Sequence, residues 1–439
     1  MHTELHLERH LIAVEFDDTV HAMLDLSAPP TSSTAARRPL DLVAVIDRSG
    51  SMAGEPLAAV LAAVDRLIRL LGDDDRLAVV AFDDHVDLVL PLTRHDARVA
   101  RSAVAGIGVG GSTNLSGGWL KGVEILRGGR AEAVRRVLLL TDGQANVGIV
   151  DAAQLAALAG QTAGQGVTTT TIGFGDHFDE DLLRAMADAG RGNARWAQGA
   201  DEAAGVFLDE FDGLATIVAQ NISVEIRPAA AVEVVAVLND FPATVVEDGV
   251  QISLGDAYAG ELRRLVFALR IPGLATMGPA TIGELVLRYV TVGDSVELHT
   301  VTTPIVVNIV DPDAVDNPDP GVIEEVLVLE AAKARRDARD EADRGDHDAA
   351  AMRLKGTATE LRAAAACAPA PDRLLEQAAA LEAVADTLDD GYYAAATSKQ
   401  LLYDVRAMSQ RRPTRTNRTR HPADNDHDDD QDLDGETPN

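Results

Sequence analysis

The stretch Leu42-Val43-Ala44-Val45-Ile46-Asp47-Arg48-Ser49-Gly50-Ser51-Met52 decides the reading of this chain. Its first five residues are continuously apolar, the mark of a strand covered on both faces of a sheet. One carboxylate and two hydroxyls at alternate positions follow at once, and Gly50 and Gly54 tolerate backbone angles that other residues avoid. In an open α/β sheet, ligands sit where the chain leaves the carboxyl end of a strand. Such a loop can point three oxygens at one place. Oxygen donors suit a hard divalent cation, Mg2+ first, with Mn2+ or Ca2+ as the alternatives.

Outward from this loop, short apolar runs alternate with helix-length amphipathic ones. Strands are expected at 40–46, 76–82, 136–141 and 168–173, with a short one near 194–197. Helices fit 56–71, 113–126, 150–165, 180–189 and 200–214; in the first, Leu57, Val60, Leu61, Val64, Leu67 and Ile68 recur at helical spacing. This pattern predicts a doubly wound α/β fold with a mostly parallel sheet. The strand Val137–Leu140 ends in Thr141-Asp142-Gly143, a second carboxylate at the same sheet edge. Between the two lies Gly110-Gly111-Ser112-Thr113-Asn114, hydroxyls at the start of a helix. Three loops would then supply five oxygen ligands and leave one coordination position open.

These residues resemble the metal-ion-dependent adhesion site of the von Willebrand factor type A domain family, with its Asp-x-Ser-x-Ser, Thr and Asp. The similarity covers roughly 40–214 and includes the VLLLTDG and TIGFG strands. It maps the site onto Asp47, Ser49, Ser51, Thr113 and Asp142. The resemblance implies that the serines coordinate directly and that Thr113 or Asp142 does so directly or through water, with Asp47 mainly orienting the others. Ser112 is one residue more than the commoner Gly-Gly-Thr form. The resemblance further implies a protein partner whose Asp or Glu completes the metal's shell, and a helix, here about 200–214, that shifts between two arrangements. The wider chain is similar to a bacterial multidomain subclass in which a β-sandwich and a helical region follow.

The remaining segments divide by pattern. Residues 1–39 carry strands ended by Pro29 and Pro30 and are expected to join a β-sandwich formed by 217–311, whose Val-, Ile- and Leu-rich runs show no helical repeat. The α/β unit, 40–216, would be an insertion between them. Residues 312–410 are expected to form a three-helix unit, with helices at 323–344, 346–366 and 373–408. The tail, 411–439, has Arg followed by Asp and Glu with almost no apolar residues, and reads as disordered.

Composition sets the exclusions. The 439 residues carry a net charge of −31 and 3% aromatics, which argues against a nucleic-acid binder. No signal-peptide core and no membrane-length apolar run is visible, so cytoplasmic residence is the default. The single cysteine, Cys367, permits no intrachain disulfide and is expected to be a small buried or half-buried helix residue. No nucleophile–base pair or well-placed His accompanies the metal loops; His85, His95 and His177 read as loop or surface residues. The expectation is a metal-dependent interaction module and not an enzyme. The competing reading is a structural or regulatory subunit whose metal braces the loops; a metal-dependent hydrolase ranks below both.

Overall fold

The computed structural model describes residues 1–30, 38–142, 144–175, 178–197, 200–291, 297–389 and 393–410. The chain opens with strands β1 (His2–Leu7), β2 (Leu11–Ala13) and β3 (Asp18–Ser27). An α/β unit follows: β4 (Leu40–Asp47), α1 (Glu55–Leu70), β5 (Arg76–Phe82), β6 (Val86–Thr93), α2 (Ala97–Ala105), α3 (Leu115–Arg127), β7 (Val134–Thr141), α4 (Ala152–Gly164), β8 (Val167–Phe174), α5 (Glu180–Ala189), β9 (Arg191–Ala197) and α6 (Ala200–Ala215). Seven strands come next: β10 (Ile217–Pro228), β11 (Glu233–Val237), β12 (Ala243–Val246), β13 (Gly249–Tyr258), β14 (Leu262–Ile271), β15 (Gly278–Thr291) and β16 (Glu297–Val310). Helices α7 (Pro320–Asp343), α8 (His347–Ala365), α9 (Pro371–Asp389) and α10 (Ala395–Gln410) close the described chain.

The α/β sheet has the order β6-β5-β4-β7-β8-β9, parallel except for β6. Strand β4 is buried along its whole length because helices cover both faces. Gly54, at φ 90°, supplies the turn into α1, which buries Leu57, Val60, Val64 and Leu67. Helix α3 lies close on the sheet through Gly118: a Cβ there would stand 2.5 Å from the Phe82 ring. Two elements escape the sequence pattern. Strand β6 is half exposed and contains Pro91, so it lacks the apolar continuity of its neighbours, and α2 has only nine residues.

The second unit packs the sheet β1-β3-β14-β11 on the sheet β12-β13-β10-β15-β16-β2. Leu24, Leu265 and Phe267 of the first sheet share one buried cluster with Val224, Ile252, Leu287 and Ile305 of the second. The opening strands serve both sheets: β3 sits between β1 and β14, while β2 runs parallel to the end of β16.

At the C-terminus the expected single helix over 373–408 is two, α9 and α10, so the described residues contain four helices there, not three. An amphipathic count runs straight through the Asp389-Asp390-Gly391 stop signal. Cys367 is exposed in the turn after α8, contrary to the buried or half-buried position expected from its Ala-rich surroundings. Helix α10 reaches back to the α/β unit: Lys399 Nζ donates to Phe178 O at 2.9 Å, Arg406 pairs with Asp188 at 2.6 Å, and Tyr403 stacks on Trp196. No helix among the described residues is long and apolar enough to cross a membrane. The tail, 411–439, lies outside the described residues, as do Asp176 and His177.

Candidate metal centre

Strand β4 delivers Asp47 fully buried to the sheet's carboxyl edge. One carboxylate oxygen accepts from Ser49 N at 2.8 Å and the other from the Thr141 hydroxyl at the end of β7. Asp47 thus braces the first loop against the third from behind. Burial pushes its carboxyl above the ordinary value, against the pull of the hydrogen bonds from Thr141 and Ser49.

In front of it, three oxygens meet. Ser49 Oγ lies 3.1 Å from Ser51 Oγ, and Ser51 Oγ donates to Asp142 Oδ1 at 2.8 Å. Adjacent ligands of an octahedral Mg2+, each at about 2.0–2.1 Å from the ion, stand about 2.9 Å apart. The observed separations are those of hydrogen bonds and lie close to that edge length. Ser49 and Asp142 are buried while Ser51 is exposed, which leaves the cluster open to solvent on one side.

The second loop is zipped to the first by two backbone bonds, Gly50 N to Gly111 O at 2.9 Å and Gly110 N to Arg48 O at 2.7 Å. Thr113 N donates to Asn146 Oδ1 at 2.9 Å, and Thr113 O accepts from Asn146 N and Val147 N, which couples this loop to the segment after β7. Asn114 caps α3 by accepting from Gly117 N at 3.0 Å. Thr113 is buried whereas the neighbouring Ser112 is exposed. Ser51 therefore touches both Ser49 and Asp142, with Asp47 bonded to Ser49 N and Thr113 on the adjoining loop. Gly143 lies outside the described residues.

Met52, after the serine loop, is fully buried, as is Trp119, whose Nε1 donates to Thr169. Val109, before the threonine loop, and Val147 and Val150, after β7, are exposed. His85 is exposed and His95 Nε2 faces two backbone carbonyls, those of Leu77 and Pro91. Asp179 caps α5, accepting from Leu182 N.

Sequence reasoning misses Asp83. It follows β5 at the same edge, and with Asp84 and His85 it brings candidate ligand atoms within 4.8 Å of one another. The Asp83 carboxylate is already engaged, by His85 N at 2.7 Å, Gly111 N at 3.3 Å and the Arg48 guanidinium at 3.3 Å. A carboxylate directly after a strand that borders β4 was the available signal.

Residues 41–212 match the von Willebrand factor type A domain. The match covers the α/β unit, less than half of the chain. Two solved structures share the fold over almost the whole chain. One is a von Willebrand factor type A protein from Catenulispora acidiphila, with TM-score 0.70, 18% identity, and 93% of this chain and 96% of that chain covered. The other is the ArnB paralog VWA2 from Sulfolobus acidocaldarius, with TM-score 0.62, 18% identity, and 93% and 97% covered. At such identities the likeness speaks for the fold alone, an α/β core of this class with an additional sheet unit and C-terminal helices. Among curated relatives, the uncharacterized protein sll0103 of Synechocystis sp. is 31% identical over 264 residues, which is 58% of this chain and 62% of that protein. The chain thus spans less than two thirds of that relative's length.

Proposed function

We propose that this domain is a metal-dependent protein-binding module. Ser49, Ser51 and Asp142 hold a divalent cation, Mg2+ in preference to Mn2+ or Ca2+; Thr113 completes the donor set and Asp47 orients it. When bound, the cation supplies Lewis acidity toward an Asp or Glu carboxylate from a protein partner. The observation that carries the reading is the Ser49–Ser51–Asp142 oxygen cluster, spaced at 3.1 and 2.8 Å with Ser51 on the open side. Only two of the five donors are carboxylates, so the protein does not neutralise the ion fully, and an outside anion gains by joining it. Residues 40–216, 217–311 and 312–410 act as a binding head, a supporting sandwich and a helical strut.

Titration of the full chain with Mg2+ and with Mn2+ tests the reading, by calorimetry and by water-proton relaxation. Wild-type protein should bind one ion, and Ser51→Ala and Asp142→Ala should each weaken binding at least about tenfold while the metal-free melting profile holds. A partner captured in Mg2+ should be lost in chelator and from both variants. Absence of binding at millimolar ion sinks the proposal. Metal binding with capture indifferent to chelator and to both substitutions would leave the ion as a loop brace.

A further inference from the structure

The end of β5 borders both ligand loops. Arg48 N donates to Phe82 O at 2.9 Å, fixing the serine loop, and Asn114 N donates to Asp83 O at 2.9 Å, fixing the threonine loop. The buried Asp83 carboxylate repeats the connection through its side chain: it accepts from the Arg48 guanidinium on one loop and from Gly111 N on the other. Gly110 faces this carboxylate, and Gly111 faces that of Asp84. A Cβ on Gly110 would stand 1.7 Å from Asp83 Oδ2, and one on Gly111 would stand 2.3 Å from Asp84 Oδ1. Any side chain at either position would push a carboxylate off the loop. With its oxygens so occupied, Asp83 works as a clamp between the loops and not as a ligand.

We propose that Asp83, outside the five candidate ligands, is a positioning residue that fixes the gap between the serine and threonine loops and thereby makes the site select Mg2+ over Ca2+. The inference rests on the metal-binding reading above. Its physical basis is that Mg2+ demands near-ideal octahedral geometry at about 2.0–2.1 Å, whereas Ca2+ accepts looser cages at about 2.3–2.6 Å, so selectivity follows the rigidity of the cage. Two loops bonded to one strand end at four points form a rigid cage. Releasing the clamp should cost the small ion far more than the large one.

Calorimetric titration of the full chain with Mg2+ and separately with Ca2+ reads this ratio. Asp83→Ala should lower Mg2+ affinity about tenfold or more, the range seen when groups behind metal ligands are removed, and Ca2+ affinity less than about threefold. Asp83→Asn, which keeps one acceptor oxygen, should fall between. A general loss of stability would weaken both ions alike and leave the ratio unmoved. Equal losses, or no loss, overturn the proposal. Should Asp83→Ala fail to fold, Asp83→Asn and Gly110→Ala, which displaces the carboxylate from the opposite side, must show the same change of ratio or the proposal falls. Wild-type protein that binds neither ion overturns the metal reading itself, whereas wild-type binding with an unchanged ratio in the variants overturns only the role of Asp83.

Discussion

Two aspartates bracket β4, and their surroundings set them opposite tasks. Asp47 faces one amide and two hydroxyl donors, too little to offset burial, and its carboxyl titrates high. At Asp41, burial alone would raise the carboxyl, yet hydrogen bonds from Arg76 and Arg130 outweigh it and bring it down to about 2. A carboxyl lowered on folding stabilises the native state above its unfolded value near 4, and that contribution disappears as pH falls through about 2. Asp41→Asn should therefore cost about 2 kcal/mol at pH 7 and close to nothing at pH 2, as measured by urea unfolding at both pH values. An equal cost at both would show that the arginine pairs do not carry the effect. Nothing in Leu40-Asp41-Leu42 announces this pairing, since Arg76 and Arg130 arrive from distant segments. The candidate ligands were legible because Asp47, Ser49, Ser51 and Asp142 stand at the ends of apolar strands and Thr113 just before a helix, in motif order. Asp83 was not, because its role lies in bonds to two loops that only the folded sheet brings beside it.

At the scale of elements, the apolar strands β4, β5, β7 and β8 announce themselves, since burial on both faces leaves no room for polar alternation. Edge elements do not: β6 presents one side to water, and Pro91 interrupts its pattern. The C-terminal helices mislead differently, because the apolar periodicity persists from α9 into α10 although these are two helices. Tight contacts also hide from pattern reading. Helix α3 approaches β5 at Gly118, and Gly118→Ala would drive a methyl into Phe82. The expected cost is about 1–3 kcal/mol, read as a lowered unfolding midpoint at unchanged denaturant slope. A midpoint equal to wild type would mean that α3 can shift outward freely.

The units are joined at the sheet edge opposite the metal loops. Arg136, near the start of β7, is buried between Glu210 of α6 at 3.0 Å and Asp256 of β13 at 2.9 Å, with Thr168 accepting from its Nε. Asn193 extends the network to Glu210 and to Tyr258 of β13. Removing the cation strands two buried carboxylates, so Arg136→Ala should destabilise the protein by about 3–5 kcal/mol in urea unfolding. A loss under about 1 kcal/mol would show that water or neighbouring arginines take its place. The sandwich was legible from its strand composition; the division of the opening strands between its two sheets was not, since pairing partners more than 200 residues away leave no local mark. That division has a mechanical corollary. Because the chain enters the α/β unit from β3 and leaves it into β10, the unit hangs from the sandwich by two cords instead of one. Any pull on this unit is shared between both cords, and the unit itself offers no loose terminus from which unravelling could begin.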